Sequence, residues 1–392
     1  MPVFPPLLIP DAPPPISEGR WHGLDLLRGV AMMMGVYLHG ALAYMFARPT
    51  WAVHDVSRST FFDLTVAAIH GFRMQLFFVL AGFFARLVAE RRGVGGLLRQ
   101  RAARIGLPFF VGMLTLIPIT LAVWFWACRV TGESLPPKPS GGFDLPTTHL
   151  WFLEYLLVFY AGVGLFSALG KIPGLGGLTS AWDFLLTRLI RSRWKVLILP
   201  FCTMPFLLGG PAVGEVERVG ESFWPGLRGL GYFGFYFLLG WLLHRRRECL
   251  DGVRRFRGWH AALALVGFGV FLVCADLYYR RGVTGMKLVV VGGAGMEIYA
   301  WSMTFLLMGL SLTTLSGYRA WARYLADASY WFYLAHLPLV IALQAVAWRW
   351  SAHAVVKAAF VVGVSSLVLW VSYHWCVRRT FVGKILNGRR AT

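Results

Sequence analysis

Two ionisable residues, Arg28 and His39, lie in the first apolar segment of the chain, between Trp21 and Met45, eleven positions apart. In an α-helix this spacing gives three turns plus about 20° and a rise of about 16 Å, so both side chains share one face. Ionisable groups are costly in a bilayer and usually mark a buried functional site, which this face is predicted to form. A structural interpretation stays open, in which Arg28 reaches lipid phosphates and His39 bonds a neighbouring helix carbonyl.

The next apolar segment carries a second buried cation, Arg73, with His70 three positions before it on the same helical face. Counted from the same side of the membrane, His39 lies about 14 residues deep and Arg73 about 16, so both are expected near the midplane and within reach of each other. A buried arginine costs a few kcal/mol and needs a carboxylate, helix carbonyls or an anionic ligand. Asp63 and Glu154 are the available acids, and the sequence does not choose between them.

Two further arginines, Arg101 and Arg104, are three positions apart shortly before Pro108, which starts or bends the third span. Guanidinium groups placed in this way at a membrane surface suit bidentate contacts with phosphate groups. An ordinary basic flank that grips lipid headgroups has the same pattern, so both interpretations stand.

Two histidine-containing segments complete the candidate residues. His149, Trp151 and Glu154 lie at the start of the fourth span, where they suit either an outer opening or an aromatic belt at the membrane interface. His336 precedes Pro338 by two positions in the ninth span. Proline has no N–H and so donates no hydrogen bond to the preceding turn. The carbonyls that this leaves free are also suited to accept a hydrogen bond from His336 in a purely structural role.

The elements that position these residues are predicted to be membrane-spanning helices. The chain has 392 residues, of which 57% are hydrophobic and 14% charged, a composition typical of an all-α, polytopic integral membrane protein. The net charge of +20 lies in short basic runs between apolar segments, without the interleaved aromatics of a nucleic-acid site, so no nucleic-acid partner is predicted. Five scattered cysteines have neither a disulfide pattern nor zinc-ligand spacing, and no metal site is expected.

Apolar periodicity predicts about ten transmembrane helices between residues 21 and 380, preceded by a disordered cytoplasmic tail (1–20) and followed by a basic cytoplasmic tail (381–392). The basic runs fall on one side of the membrane, which makes that side and both termini cytoplasmic by the positive-inside rule. The predicted spans are 22–46, 61–89, 105–127, 149–170, 195–210, 228–244, 259–277, 293–315, 327–348 and 354–377.

Taken in order, these segments resemble the integral-membrane acyltransferase family 3. The resemblance covers about residues 22–380 and depends on five ordered motifs, each of them weak alone. Ala81 departs from the family pattern, which commonly has serine before Gly82. The motifs are Arg28 with His39, the run from Phe72 to Phe83, Arg101 and Arg104 followed by Leu107-Pro108, the run from His149 to Leu153, and the run from Ser329 to Pro338.

The resemblance implies a membrane-embedded O-acyltransferase of the bacterial inner membrane. Its donor would be cytosolic acyl-coenzyme A (succinyl- or acetyl-coenzyme A), used as a substrate with no tightly bound cofactor, and its acceptor a hydroxyl of a periplasmic glucan or another envelope sugar. Membrane lipids would surround it. Within the family, the residues of these motifs are most similar to a branch that adds succinyl groups to periplasmic glucans.

The resemblance also implies roles for the candidate residues. A neutral His39 would be the general base, and Arg73 would hold the thioester oxygen or the carboxylate of a succinyl group. The donor phosphates would be bound by Arg28, Arg101 and Arg104, and the acceptor side would involve His149, Trp151, Glu154 and His336.

A transporter or lipid-linked sugar flippase is the alternative from another class, in which the buried charges line a translocation path. Such a protein would ignore acyl-coenzyme A, so a binding or hydrolysis assay separates the two. The chain has no G-x-S-x-G elbow, which favours direct transfer through His39 over a serine acyl-enzyme.

Overall fold

The computed structural model describes residues 21–134, 145–169, 176–210, 212–217, 219–315 and 317–387. Within these ranges all regular structure is helical, which confirms the all-α prediction. The predicted tail 1–20 and the last residues of the second tail, 388–392, lie outside the described residues. The α-helices are α1 (His22–Leu42), α2 (Thr60–Arg101), α3 (Leu107–Leu114), α4 (Leu116–Thr131), α5 (Trp151–Leu169), α6 (Gly176–Arg191), α7 (Lys195–Leu207), α8 (Leu227–Arg245), α9 (Leu250–Arg255), α10 (Arg257–Tyr279), α11 (Met286–Thr314), α12 (Ala320–Ala347), α13 (Ala354–Ser372) and α14 (Phe381–Asn387).

Several of these helices are long and apolar enough to cross a membrane, which indicates a multi-pass membrane protein. Each of the ten predicted spans contains a helix, but α4 and α7 have only 16 and 13 residues. α1 and α8 are less apolar because polar residues and glycines interrupt them. Among the described residues, the six segments that meet both criteria are Thr60–Leu114, Thr148–Leu169, Arg257–Tyr279, Met286–Thr314, Ala320–Ala347 and Ala354–Val377.

A break in α2 separates its membrane-spanning part from an arm that carries two of the candidate arginines. The 42 residues of α2 would rise about 63 Å if the helix were straight, about twice the hydrocarbon thickness of a bilayer. Gly93, with φ 71° and ψ 168°, interrupts the helical backbone, a conformation that glycine adopts without steric cost. The arm that follows contains Arg101 and continues through the π-helical turn Ala102–Gly106 into α3.

The helices that carry the candidate residues lie side by side. α1 packs most extensively against α12 and also contacts α2, α11 and α13. Gly29 allows the close approach of α1 and α12, since an added Cβ would lie 3.0 Å from Cα of Ala326. Gly82 and Gly240 likewise bring α2 and α8 together, because each faces a backbone carbonyl of the other helix. Small residues at such crossings are a common means of packing membrane helices closely.

α6, α9 and α14 fall outside the predicted spans. α14 occupies the start of the predicted carboxy-terminal tail, where Leu386 is buried and the carbonyl of Asn387 accepts a hydrogen bond from Arg104 at 3.2 Å. We call the end of the bundle at which α1 begins, with Arg28, Arg92, Arg101 and Arg104, the basic end. The opposite end, with His39, His149 and His336, is called the histidine end.

Candidate active site

The side chains of His39 and His336 are hydrogen-bonded to each other. Nδ1 of His39 lies 2.7 Å from Nε2 of His336, and the two rings are nearly parallel with centroids 5.0 Å apart. The sequence predicts both residues but does not pair them. His39 lies in the last turn of α1, because the helix ends at Leu42 and not near residue 46 as predicted.

The surroundings of His336 determine which of its nitrogens carries the proton. Nδ1 lies 2.9 Å from the carbonyl oxygen of Phe332 and 2.8 Å from that of Tyr333. Carbonyl oxygens only accept hydrogen bonds, so Nδ1 is assigned as the donor and Nε2 of the neutral ring as an acceptor. Nδ1 of His39 therefore donates to Nε2 of His336. The lone pair of a neutral His39 is then on Nε2, which has no hydrogen-bond partner in the part of the chain that the structure describes.

His149 is held by the carbonyl that Pro338 frees. Pro338 of α12 has no N–H, so the carbonyl of Leu334, four residues earlier, lacks its helical donor. Nε2 of His149 lies 3.0 Å from this oxygen and donates to it, which leaves Nδ1 to accept from the hydroxyl of Thr148 at 3.1 Å. The rings of His149 and His336 meet edge to face, with centroids 5.4 Å apart. The freed carbonyl is thus bound by His149, while His336 bonds the carbonyls of the preceding turn.

Arg73 lies against α1, one turn from His39. Its Nη1 is 2.5 Å from the position that a Cβ would occupy on Gly35, and residues four apart share a helical face. Nη2 contacts Sδ of Met74 at 3.6 Å, and Nε is buried without a hydrogen-bond partner. Within the described ranges no carboxylate forms a salt bridge with Arg73. A partly buried guanidinium without a carboxylate is suited to bind an anion.

The two acids considered as partners of Arg73 form other interactions. Asp63 accepts hydrogen bonds from the backbone N–H groups of Phe46 and Ala47 at 3.0 and 2.9 Å. Glu154 is buried on α5 and has a polar interaction of its own. Among the described residues, no carboxylate forms a salt bridge with the guanidinium that lies beside the histidines.

The structure thus assembles four of the predicted site residues, which we call the histidine site: His39, His149, His336 and Arg73. The positive charge of Arg73 acts electrostatically on His39, and His70, the other histidine of α2, is exposed. Trp151 is not part of this group, because it packs into an aromatic cluster with rings that include Phe78 and Phe233, at centroid distances of 6.3 and 5.4 Å. No group of three or more potential metal ligands meets among the described residues.

Two residues that the sequence motifs did not reveal adjoin His39. The indole of Trp51 lies parallel to the imidazole within 10°, with centroids 5.6 Å apart, and its Nε1 donates to Oε1 of Gln344 at 2.8 Å. Nε2 of Gln344 donates to the carbonyls of His39 and Gly40 at 2.9 and 3.1 Å, which the end of α1 leaves without helical donors. An amide within an apolar span was a usable signal for Gln344, whereas Trp51 lies in a loop and had none.

The arginines of the basic end crowd together. The charges of Arg28, Arg92 and Arg101 repel that of Arg104, and Asp327 partly offsets this repulsion. Asp327 is itself bound by Arg323 at 3.0 Å.

Aromatic rings and the carboxylate of Asp25 also lie close to arginines of the basic end. Arg28 lies 3.6 Å from Asp25 and 5.4 Å from the ring centroid of Phe84. Arg101 lies 5.2 Å from the ring centroid of Tyr160, and its Nε is buried without a hydrogen bond within the described chain. This end therefore holds a surplus of positive charge, which suits a ligand with several negative charges.

The fold and the two charged regions define a class of protein: a helical membrane protein with two hydrogen-bonded histidines beside a partly buried arginine, and with a cluster of arginines near the other end of α1. The chain belongs to the acyltransferase 3 family, because the family's model, described as an acyltransferase domain, matches residues 21–374. The protein is an acyltransferase, and the resemblance inferred from the motifs is confirmed.

Curated relatives include the glucans biosynthesis protein C of Salmonella heidelberg (strain SL476), of Salmonella agona (strain SL483) and of Salmonella typhi. Each is 24% identical to this chain over 345 residues, which covers 83% of the chain and 84% of the relative. No solved structure matches the chain.

Proposed function

We propose that the protein is an O-acyltransferase that moves an acyl group, succinyl or acetyl, from acyl-coenzyme A to a hydroxyl of an envelope carbohydrate such as a glucan. The observation that carries the proposal is the hydrogen bond between His39 and His336, which orients His39 and leaves its Nε2 free to take a proton. The relatives named glucans biosynthesis protein C support a glucan as the acceptor.

His39 acts as the general base on the acceptor. Its Nε2 takes the proton of the acceptor hydroxyl while the oxygen attacks the thioester carbonyl carbon. The imidazolium that forms keeps its Nδ1–H bond to His336, which stabilises the positive ring. When the tetrahedral adduct collapses, the C–S bond breaks and the thiolate of coenzyme A leaves, taking the proton from His39. Acid–base catalysis of this kind contributes about 10²–10⁴ in rate.

Arg73 is placed to bind negative charge beside this base. Its guanidinium lies one turn from His39 and has no carboxylate partner in the described part of the chain. It stabilises the oxyanion of the tetrahedral adduct or, with a succinyl donor, holds the terminal carboxylate.

The basic end binds the phosphates of coenzyme A through Arg28, Arg101 and Arg104. Arg28 and His39 are about 16 Å apart along α1, a distance that the extended pantetheine arm of coenzyme A spans. By the positive-inside rule the basic end is cytoplasmic and the histidine end faces the periplasm. In this orientation the chain crosses a bacterial inner membrane ten times, and both termini are cytoplasmic. Four of the ten passages are formed by α1, by α3 together with α4, by α7 and by α8.

The proposal is tested by acyl transfer in the His39→Gln variant. Purified protein in lipid nanodiscs receives succinyl- or acetyl-coenzyme A and a short glucose oligomer, and the acylated oligomer is measured by mass spectrometry. Glutamine keeps a hydrogen-bonding side chain of similar reach but takes no proton at neutral pH. Transfer is expected to fall by about 10²–10⁴, with donor binding unchanged.

The matched control is His22→Gln, the same substitution in a partly buried residue at the start of the same helix, and it is expected to retain activity. Substantial transfer by His39→Gln would contradict the base role. Failure of the unaltered protein to bind or cleave either donor would instead favour a transporter or flippase.

A further inference from the structure

The segment between α1 and α2, residues 43–59, folds back into the histidine end of the bundle. The N–H of Asp55 donates to the carbonyl of Ala43 at 2.9 Å, which closes the segment into a compact loop. Val53 is fully buried, and Trp51 is only 9% exposed. We call residues 43–59 the closing segment, because the side chain of Trp51 lies over His39 in the last turn of α1.

A buried ion pair anchors the closing segment to α13. Nζ of Lys357 lies 2.9 Å from both carboxylate oxygens of Asp55, and the two side chains are 0% and 1% exposed. Nζ also donates to the carbonyl of Trp348 at 3.2 Å, and Asp55 accepts from the N–H of Ser57 at 2.8 Å. Both charges have the additional hydrogen bonds that a buried ion pair needs.

Trp51 is the residue of this segment that covers His39. Its indole lies parallel to the imidazole at 5.6 Å between centroids. Two contacts hold the indole in place: Nε1 donates to Gln344 at 2.8 Å, and Trp124 of α4 packs edge-on at 5.3 Å. An apolar ring surface therefore lies against the imidazole on the side of the closing segment.

A free Nε2 on His39 does not by itself distinguish one hydroxyl from another. Water offers the same O–H group as a sugar: its oxygen attacks the thioester carbonyl, its proton passes to His39, and the C–S bond breaks. Coenzyme A then leaves as the thiol after taking that proton, and the acyl group is lost as a free carboxylic acid. Only control of access to the base prevents this side reaction, and exclusion of water is a known function of closed active sites.

We infer that Trp51 determines acceptor specificity by keeping water from His39, so that the acyl group passes to a carbohydrate hydroxyl and not to water. The inference rests on the proposed function and names the residue that separates transfer from hydrolysis. The ion pair of Asp55 and Lys357 positions Trp51, because it ties the closing segment to the bundle.

The test measures two products in the same sample: acylated acceptor and free carboxylic acid. The full-length protein in lipid nanodiscs receives succinyl-coenzyme A with or without a short glucose oligomer, and release of coenzyme A thiol is followed in parallel. In Trp51→Ala the ratio of free acid to acylated oligomer is expected to rise several-fold, and thiol release without the oligomer to rise with it. In Trp51→Phe, which keeps an apolar ring, the ratio is expected to stay near that of the unaltered protein.

Two controls tie the extra hydrolysis to this site. Trp350→Ala removes an indole that packs on Phe360 at 4.6 Å and is 41% exposed, and it is expected to leave the ratio unchanged. The double variant Trp51→Ala with His39→Gln is expected to lose the added hydrolysis, because water then has no base.

An unchanged ratio in Trp51→Ala, with transfer still measurable in the unaltered protein, overturns the inference and leaves the proposed function standing. If Trp51→Ala does not accumulate, Trp51→Leu replaces it: leucine keeps apolar volume in the loop but uncovers part of the imidazole, and no rise in its ratio overturns the inference equally. If the unaltered protein neither transfers nor hydrolyses the donor, the proposed function itself has failed.

Discussion

The histidine end and the basic end hold their polar groups in opposite ways. At the histidine end, His149 and His336 bond main-chain carbonyls and His39 bonds His336, so the rings are oriented before any substrate arrives. At the basic end, three arginines repel Arg104 and few acids compensate them. In the proposed function, the first arrangement serves the chemistry and the second binds the anionic donor. Substitutions at the two ends are therefore expected to separate the rate of transfer from the affinity for the donor.

The largest expected effect is loss of the partner of His39. His336→Leu removes the acceptor of the Nδ1–H bond, so His39 loses both its orientation and the stabilisation of its imidazolium. We expect kcat to fall by about 10²–10⁴, the range for a lost acid–base function, with little change in donor Kd. His336→Gln keeps an acceptor oxygen and is expected to retain a measurable part of the rate. Equal kcat in His336→Leu and the unaltered protein would mean that the histidine end is not the reacting centre.

The second prediction concerns the buried ion pair of Asp55 and Lys357, which contrasts with the crowded arginines of the basic end. Lys357→Met leaves the Asp55 carboxylate buried without its cation, which is expected to cost about 3–5 kcal/mol of stability. Thermal unfolding of the protein in detergent measures this loss as a lower Tm. Combining the substitution with Asp55→Leu removes the stranded charge and is expected to recover most of the Tm. A single variant as stable as the unaltered protein would show that the ion pair does not anchor the closing segment.

The third prediction concerns donor affinity at the basic end. Arg101→Ala with Arg104→Ala removes two charge-assisted phosphate contacts, each contributing about 1.5–3 kcal/mol to donor binding. Because the same substitutions relieve repulsion among the arginines, no fall in Tm is expected, in contrast to Lys357→Met. Titration with acyl-coenzyme A measures the affinity. Unchanged donor affinity would mean that these arginines bind lipid headgroups and not the donor.

The sequence predicts the parts of this account that depend on residue type and spacing along one helix. Arg28 and His39 are recognisable because ionisable groups in an apolar segment are rare, and each predicted span contains a helix because apolar periodicity is a local property. The predicted end of the first span at residue 46 was wrong, since the end of α1 at Leu42 depends on how the closing segment folds back and not on hydropathy.

The sequence does not predict which side chains of different helices contact each other. Pro338 shows that a carbonyl is freed, but which histidine binds it depends on how α12 and the start of α5 are rotated against each other, and the structure assigns it to His149. The stacking of Trp51 on His39 joins a loop to a helix, and no spacing rule predicts such a pair.

The central claim is that His39 and His336 act as one unit, and a double-mutant comparison tests it most directly. Single-turnover transfer is measured for His39→Gln, for His336→Leu and for the variant that carries both substitutions, with donor binding checked in each. Residues that act as a unit have strongly non-additive effects. The account predicts that the double variant is about as slow as His39→Gln alone. If the two losses instead multiply, His336 contributes independently of His39, and the paired-histidine base is contradicted.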